Sequence, residues 1–134
     1  RDPGRAYLVA TCNNIKQLPP PYQRAERWDS IWYVDLPNRS EKETIWMIHT
    51  TKYNVEGKLP DDTEWTGAEI KSCCRTAAMM GCTLLEAARY VIPIARSMKE
   101  EIGALREWAA GRAIPASLPE AKELAGGRRI LVKE

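Results

Sequence analysis

Four-residue punctuation, more than any other feature, limits what this chain can fold into. The pattern Ser/Thr-x-x-Glu occurs at Ser40/Glu43, Thr66/Glu69, Thr83/Glu86, Ser97/Glu100 and Ser117/Glu120. In a capping box the hydroxyl and the carboxylate each accept a backbone N–H that a helix start leaves without a partner. Gly57, Gly81, Pro93, Gly111 and Gly126-Gly127 stand where the corresponding helices would stop. Five starts with five stops predict a helical frame from about residue 38 onward. Apolar spacing agrees, with expected buried faces at Ile45, Ile48 and Lys52/Tyr53, at Ile70, Cys73/Cys74, Ala77 and Met80, and at Ile102, Leu105, Trp108 and Ala109.

The first 37 residues follow a different grammar. Ala6–Thr11 is a short, nearly continuous apolar run, suited to a central parallel strand covered on both faces. Pro19-Pro20-Pro21 forces a turn or a helix start, and Ser30–Leu36 is a β-branched and aromatic run stopped by Pro37. Two strands of this kind need further strands beside them, expected upstream. The opening Arg1-Asp2-Pro3-Gly4, with neither Met nor a signal-peptide pattern, agrees with a piece cut from a longer chain. The expected fold is mainly α with a small α/β piece. It divides into a strand-rich part (1–37), a helical part (38–116) and a C-terminal extension (117–134), where Arg129–Val132 reads as a strand or a frayed tail.

Composition removes several function classes. Of the 134 residues, 20 are Lys or Arg and 18 are Asp or Glu, so the net charge of +2 gives no argument for nucleic acid. No apolar run reaches the ~18 residues of a membrane span. The cysteines Cys12, Cys73, Cys74 and Cys82 form no C-x-x-C pair, and His49 is the single histidine; reduced thiols in a cytoplasmic protein are expected, and no metal site. G-x-x-x-x-G-K-[ST], G-x-G-x-x-G and G-x-S-x-G are all absent from these residues.

The residues left to carry chemistry are few. Asn13 ends the first expected strand, and in open α/β sheets ligands sit at carboxyl ends of strands. Its amide could hold a water or a phosphate oxygen, or could simply turn the chain. Arg24 and Arg27, three apart, could share one side of a helical turn and clamp a phosphate, or could pair with Glu26 and Asp29. Gly67 and Ala68 open a helix without bulk, where an anion or a flat ring could approach.

In order, these motifs resemble the second half of an AAA ATPase module. Leu8–Asn13 resembles the sensor-1 strand. Leu18-Pro19-Pro20 with Arg24–Asp29 resembles the segment "L-P-P-x-L-L-R-x-G-R-F-D", and Val34–Pro37 the strand and proline after it. Ile45–His49 resembles the "I-x-x-I-H" helix, and Trp65–Ile70 the "S/T-G-A-D/E-I" start of a lid helix. More loosely, Met98–Ile102, Leu105–Ala109 and Gly111–Ala113 resemble the tail of an AAA subgroup known from plastid genomes and bacteria.

The resemblance implies the last strands of a parallel P-loop ATPase sheet followed by a helical lid. Asn13 would be sensor 1, Arg24 and Arg27 arginine fingers, and His49, Gly67 and Ala68 the adenine and ribose pocket. The family's Gly between the arginines is Glu26 here and its Phe is Trp28. The intact protein would use ATP with Mg²⁺ in a ring of neighbouring subunits, a homo-hexamer, that remodels a macromolecular client. The phosphate-binding loop and the metal-binding acidic strand precede sensor 1 in this family, so the isolated chain would be inactive. Two alternatives from other classes are a non-enzymatic helical adaptor binding partners through exposed aromatics such as Trp46, Trp65 or Trp108, and a nucleic-acid module using Arg106, Arg112, Arg128 and Arg129.

Overall fold

A computed structural model describes residue 4 and residues 6–117. Among them lie α1 (Pro20–Gln23), β1 (Trp32–Tyr33), α2 (Arg39–Tyr53), α3 (Gly67–Met80), α4 (Leu84–Ala87), α5 (Ile94–Ser97), α6 (Lys99–Ala109) and β2 (Ile114–Pro115). Short 3₁₀ turns occupy Ile15–Gln17, Ala25–Arg27 and Ala88–Tyr90. The described residues are mainly helical, with one small parallel pair of strands among them, β1 beside β2.

Two of the five expected capping boxes form where they were expected. Thr66 and Glu69 cap α3, Thr83 and Glu86 cap α4, and each pair exchanges both hydrogen bonds. At α2 the box is shifted by two residues. Asn38 Oδ1 accepts from Glu41 N–H at 2.8 Å and a Glu41 carboxylate oxygen accepts from Asn38 N–H at 2.9 Å, so Ser40 lies inside the first turn. An Asn carbonyl caps as well as a hydroxyl, and the earlier start brings two more residues into the helix. No side chain caps α6; Ser97 Oγ instead donates back to Ile94 O at 2.9 Å. The box at Ser117/Glu120, the Gly126-Gly127 stop and the Arg129–Val132 segment extend outside the described residues.

One helix stop also shifts, that of α2, while Gly81 closes α3 as expected. α2 ends at Asn54, whose left-handed φ of 52° lets its N–H reach Thr50 O and Thr51 O, ahead of Gly57. α3 ends at Gly81 (φ 64°), a conformation that a Cβ would strain, and its N–H bonds Ala77 O.

The core lies between α2, α3 and α4. Ile70, Cys73, Cys74 and Ala77 from α3 pack with Trp46, Trp65, Leu84 and Ala87, all buried. Three expectations about faces are corrected. Ile48 and Met80 are more than half exposed, because α2 turns Ile45, Trp46 and Tyr53 inward and α3 ends beyond the packed region. Trp46 and Trp65 are core residues, with rings 5.9 Å apart, so neither is available as an exposed docking aromatic. Trp46 Nε1 donates to Asp62 Oδ2 at 2.8 Å, and Lys42 Nζ donates to Asp62 O at 2.7 Å. Asp62 thereby fastens the 54–66 loop over α2 and satisfies the one polar atom of a buried indole.

The strand expectations fare differently. Residues 6–12 form no strand among the described residues, and Tyr7, Leu8 and Val9 are 92%, 80% and 85% exposed. A strand exists only through a neighbour that pairs with its backbone, and no described residue pairs with this run. The 30–36 run shortens to β1, and its neighbour is β2 from the far end of the described chain, which the sequence pattern does not mark as a strand. This pair joins the strand side to the helical side across the expected boundary at 37/38.

Two substitutions test the cap at α2. Asn38→Ala should cost about 1 kcal/mol in urea unfolding, and Ser40→Ala should stay within about 0.5 kcal/mol. The reverse order would place the cap at Ser40. Glu69→Ala, which strips acceptors from two helix starts at once, should cost on the order of 3 kcal/mol.

Candidate functional site

A groove of about 720 Å³ runs between the exit of β1 and the starts of α2 and α3. One wall is Tyr33–Pro37. The floor is Ser40, Glu41, Thr44 and Ile45 of α2 with Thr66 and Gly67 at the start of α3. The other wall is Ile102 and Leu105 of α6 with Ala116 and Ser117. Its lining is mostly apolar.

The start of α3 shapes the floor. Thr66 and Glu69 hold each other across the first turn, and Glu69, although only 7% exposed, reaches further: Oε1 accepts from Ile94 N–H at 2.6 Å. One carboxylate thus fixes the N-termini of α3 and α5. Gly67 faces Ile45, and a Cβ at this position would lie 3.6 Å from Ile45 Cδ1. A methyl would fill that space without clashing, so the protein itself does not require glycine here. The bare Cα leaves a small apolar slot beside a helix start.

Of the residues marked by the sequence, Gly67 lines the groove with Ile45. Ala68 is exposed beside it. His49 stands one turn beyond Ile45 on α2, stacks on Tyr53 (centroids 6.4 Å, 30°), and is not part of the lining. Its Nδ1 is buried with no hydrogen-bond partner. Burial, and then the charges of Lys52 and Lys71, hold the imidazole below its ordinary pKa, favouring the neutral ring.

The other three residues lie elsewhere. Asn13 is exposed just before the 3₁₀ turn, and Asn14, not Asn13, caps that turn by accepting Lys16 N–H at 3.0 Å. Arg24 has extended backbone, and Arg27 N–H bonds Arg24 O at 3.2 Å around the 25–27 turn. Both arginines are exposed, and among the described residues neither forms an ion pair with Glu26 or Asp29. Trp28, in the place of the family's Phe, anchors the segment through Nε1 to Tyr22 O at 3.1 Å. None of the three reaches the groove within this chain.

Sequence spacing misses one strong polar contact at the groove. Arg106 and Asp35 are 71 residues apart and form a two-pronged pair, Nε to Oδ2 at 2.9 Å and Nη2 to Oδ1 at 2.8 Å. Burial alone would raise the Asp35 carboxyl, but Arg106 and the Leu36 N–H outweigh it and hold it below the usual range. Arg112 lies over the Trp108 ring at 5.7 Å and donates to Trp108 O at 3.0 Å. Two of the four arginines of the nucleic-acid alternative are therefore engaged internally, and Arg128 and Arg129 lie outside the described residues. No group of three His, Cys, Asp or Glu among the described residues is arranged to hold a metal ion. No single described helix is long and apolar enough to cross a membrane.

Curated relatives agree with the motif order. The chain is 32% identical over 130 residues to the AAA domain-containing protein ycf46 of Pyropia yezoensis, covering 84% of this chain and 26% of that protein. It is 29% identical to the ycf46 protein of Guillardia theta, over 77% of this chain and 24% of that one. Proteasome-activating nucleotidase 1 of Haloferax volcanii is 33% identical over 86 residues, 57% of this chain and 20% of that protein. The chain belongs to the AAA family. It corresponds to the C-terminal part of the AAA module, and it spans about a quarter of the length of the ycf46 relatives. No family model and no solved structure matches it.

Within this AAA chain the state of His49 has a measurable consequence. The folded state binds its proton less tightly than the unfolded chain does, so protonation favours unfolding. This contribution to stability is fully present above the ordinary value of 6.5, and is lost as pH falls through the window below it. An NMR titration should give a His49 midpoint below 6.5, and His49→Gln should flatten the pH dependence of unfolding in that window. A midpoint above 6.5 would contradict the packing described.

Proposed function

We propose that this chain is the sensor-1-to-lid end of an ATPase that hydrolyses ATP with Mg²⁺ to remodel a macromolecular client. In this reading residues 1–37 close the nucleotide-binding domain, 38–116 form the lid and 117–134 are an extension. The groove between β1, α2 and α3 takes the base, with Gly67 and Ala68 at the lid side and His49 behind Ile45. Asn13 orients the attacking water. Arg24 and Arg27, exposed and outside the groove, serve as fingers toward the nucleotide of a neighbouring subunit in a homo-hexameric ring. Exposure of both guanidinium groups away from the chain's own groove supports a role in trans over one in cis.

The groove beside Gly67 carries this proposal: at about 720 Å³ it has room for a ring, and the bare Cα at the start of α3 leaves that side open. The base is one part of the ligand. The phosphates and the metal need a phosphate-binding loop and an acidic strand, and neither pattern occurs in these 134 residues. The isolated chain is therefore proposed to bind nucleotide weakly and not to hydrolyse it. A reducing, cytoplasmic setting is proposed from the thiols. Cys73 and Cys74 are buried and free, and burial, with some help from Cys74 and Cys82, pushes the Cys73 thiol up to about 11.

In the intact ATPase, Arg24→Ala and Arg27→Ala should each lower ATP turnover on the order of a hundredfold while leaving nucleotide affinity within a factor of about three. Loss of affinity instead would place them in the subunit's own pocket. Gly67→Ala, whose methyl is accommodated without a clash, should do the opposite, weakening nucleotide binding about tenfold with little change in thermal stability. Unchanged binding in this variant would remove the base from the groove.

A further inference from the structure

The groove's two walls come from opposite ends of the described chain, and one device joins them. On the strand side are Tyr33, Asp35 and Leu36; on the helical side are Leu105 and Ala116. Arg106 forks onto both oxygens of Asp35. Eight residues later β2 begins and lies parallel to β1, with Trp32 opposite Ile114 and Tyr33 opposite Pro115. Ile114 N–H donates to Ile31 O at 2.8 Å and Ala116 N–H to Tyr33 O at 2.9 Å.

The segment between these two attachments is shaped by its own bonds. Arg112 and Ala113 N–H groups both return to Ala109 O, at 3.0 and 2.9 Å, and Gly111 takes a φ of 76° to allow it. Arg112 stacks over Trp108 within the same turn. A two-residue parallel pair contributes little by itself. The charged fork sits on partly exposed side chains, 50% and 35%, so solvent screens it, but its planar geometry allows one orientation only.

We propose that Arg106 and β2 form a clasp that fixes the α6 wall of the groove against β1, making Arg106 a positioning residue that sets the groove's width for the ring it receives. The width claim rests on the reading of the groove as a base site; the clasp does not. Breaking the fork leaves two backbone hydrogen bonds to hold β2, and the α6 wall moves away from Tyr33–Leu36. Lysine at 106 cannot replace it, because one ammonium cannot occupy both carboxylate oxygens in the same plane.

Hydrogen exchange followed by NMR on the 134-residue chain tests the clasp, with adenosine as the probe of the groove. In Arg106→Ala the Ile114 and Ala116 amides should exchange about tenfold faster, with Cys73 and Cys74 amides unchanged. Arg106→Lys should recover only part of the protection, and the charge swap Asp35→Arg with Arg106→Asp should recover most of it. Adenosine affinity, read from the Gly67 amide shift, should fall in Arg106→Ala and return in the swap. Unchanged exchange at Ile114 and Ala116 overturns the clasp. Faster exchange with unaltered adenosine affinity overturns the positioning role. If adenosine fails to bind even the unaltered chain, the base-site reading and the positioning role fall together, and the exchange rates still decide the clasp.

Discussion

A single buried carboxylate, that of Glu69, orders the helical part of this protein. A charged group with 7% exposure is costly unless its oxygens are taken up by donors, and here they accept the N–H groups of Thr66 and Ile94. Those donors stand 28 residues apart in sequence and start two different helices. Once both are tied to Glu69, α3 has a fixed entry and its buried face (Ile70, Cys73, Cys74, Ala77) meets Leu84 and Ala87. The groove inherits this order, since Gly67 lies between Thr66 and Glu69 and cannot move independently of either.

The second constraint is the loop that Asp62 fastens to α2. Through Trp46 and Lys42 it holds Trp65 in the core, one residue ahead of the Thr66 cap. Core packing and the candidate site are therefore adjacent along the chain. Trp46 and Trp65, two of the aromatic residues that could have served as a docking surface, are spent on that packing.

Much of the helical frame is legible in the sequence, because caps are local: Thr66 with Glu69 and Thr83 with Glu86 involve residues three apart. Asn38 is misread because Ser40 presents the same pattern two residues later, and a spacing rule cannot weigh Asn against Ser. Strand partners are not legible. Ala6–Thr11 has the composition of a central strand, yet a strand is a relation between two segments, and the pairing of β1 with Ile114–Pro115 joins residues about eighty apart. The same holds for Asp35 with Arg106 and for Glu69 with Ile94, where the chemistry is ordinary and only the fold brings the groups together. Of the site residues that sequence order marks on the helices, Gly67 lines the groove, whereas His49 lies behind the lining because Ile45, one turn earlier, takes the position facing Gly67.

The central claim is that an AAA nucleotide lies with its base against the start of α3 in this part of the module. Photolabelling of the intact protein with 8-azido-ATP, followed by peptide mapping, tests it most directly. The account predicts adducts on the peptides that carry Ile45–His49 and Thr66–Ala68, suppressed by excess ADP. Labelling confined to other peptides, or labelling of these that ADP does not suppress, would contradict it.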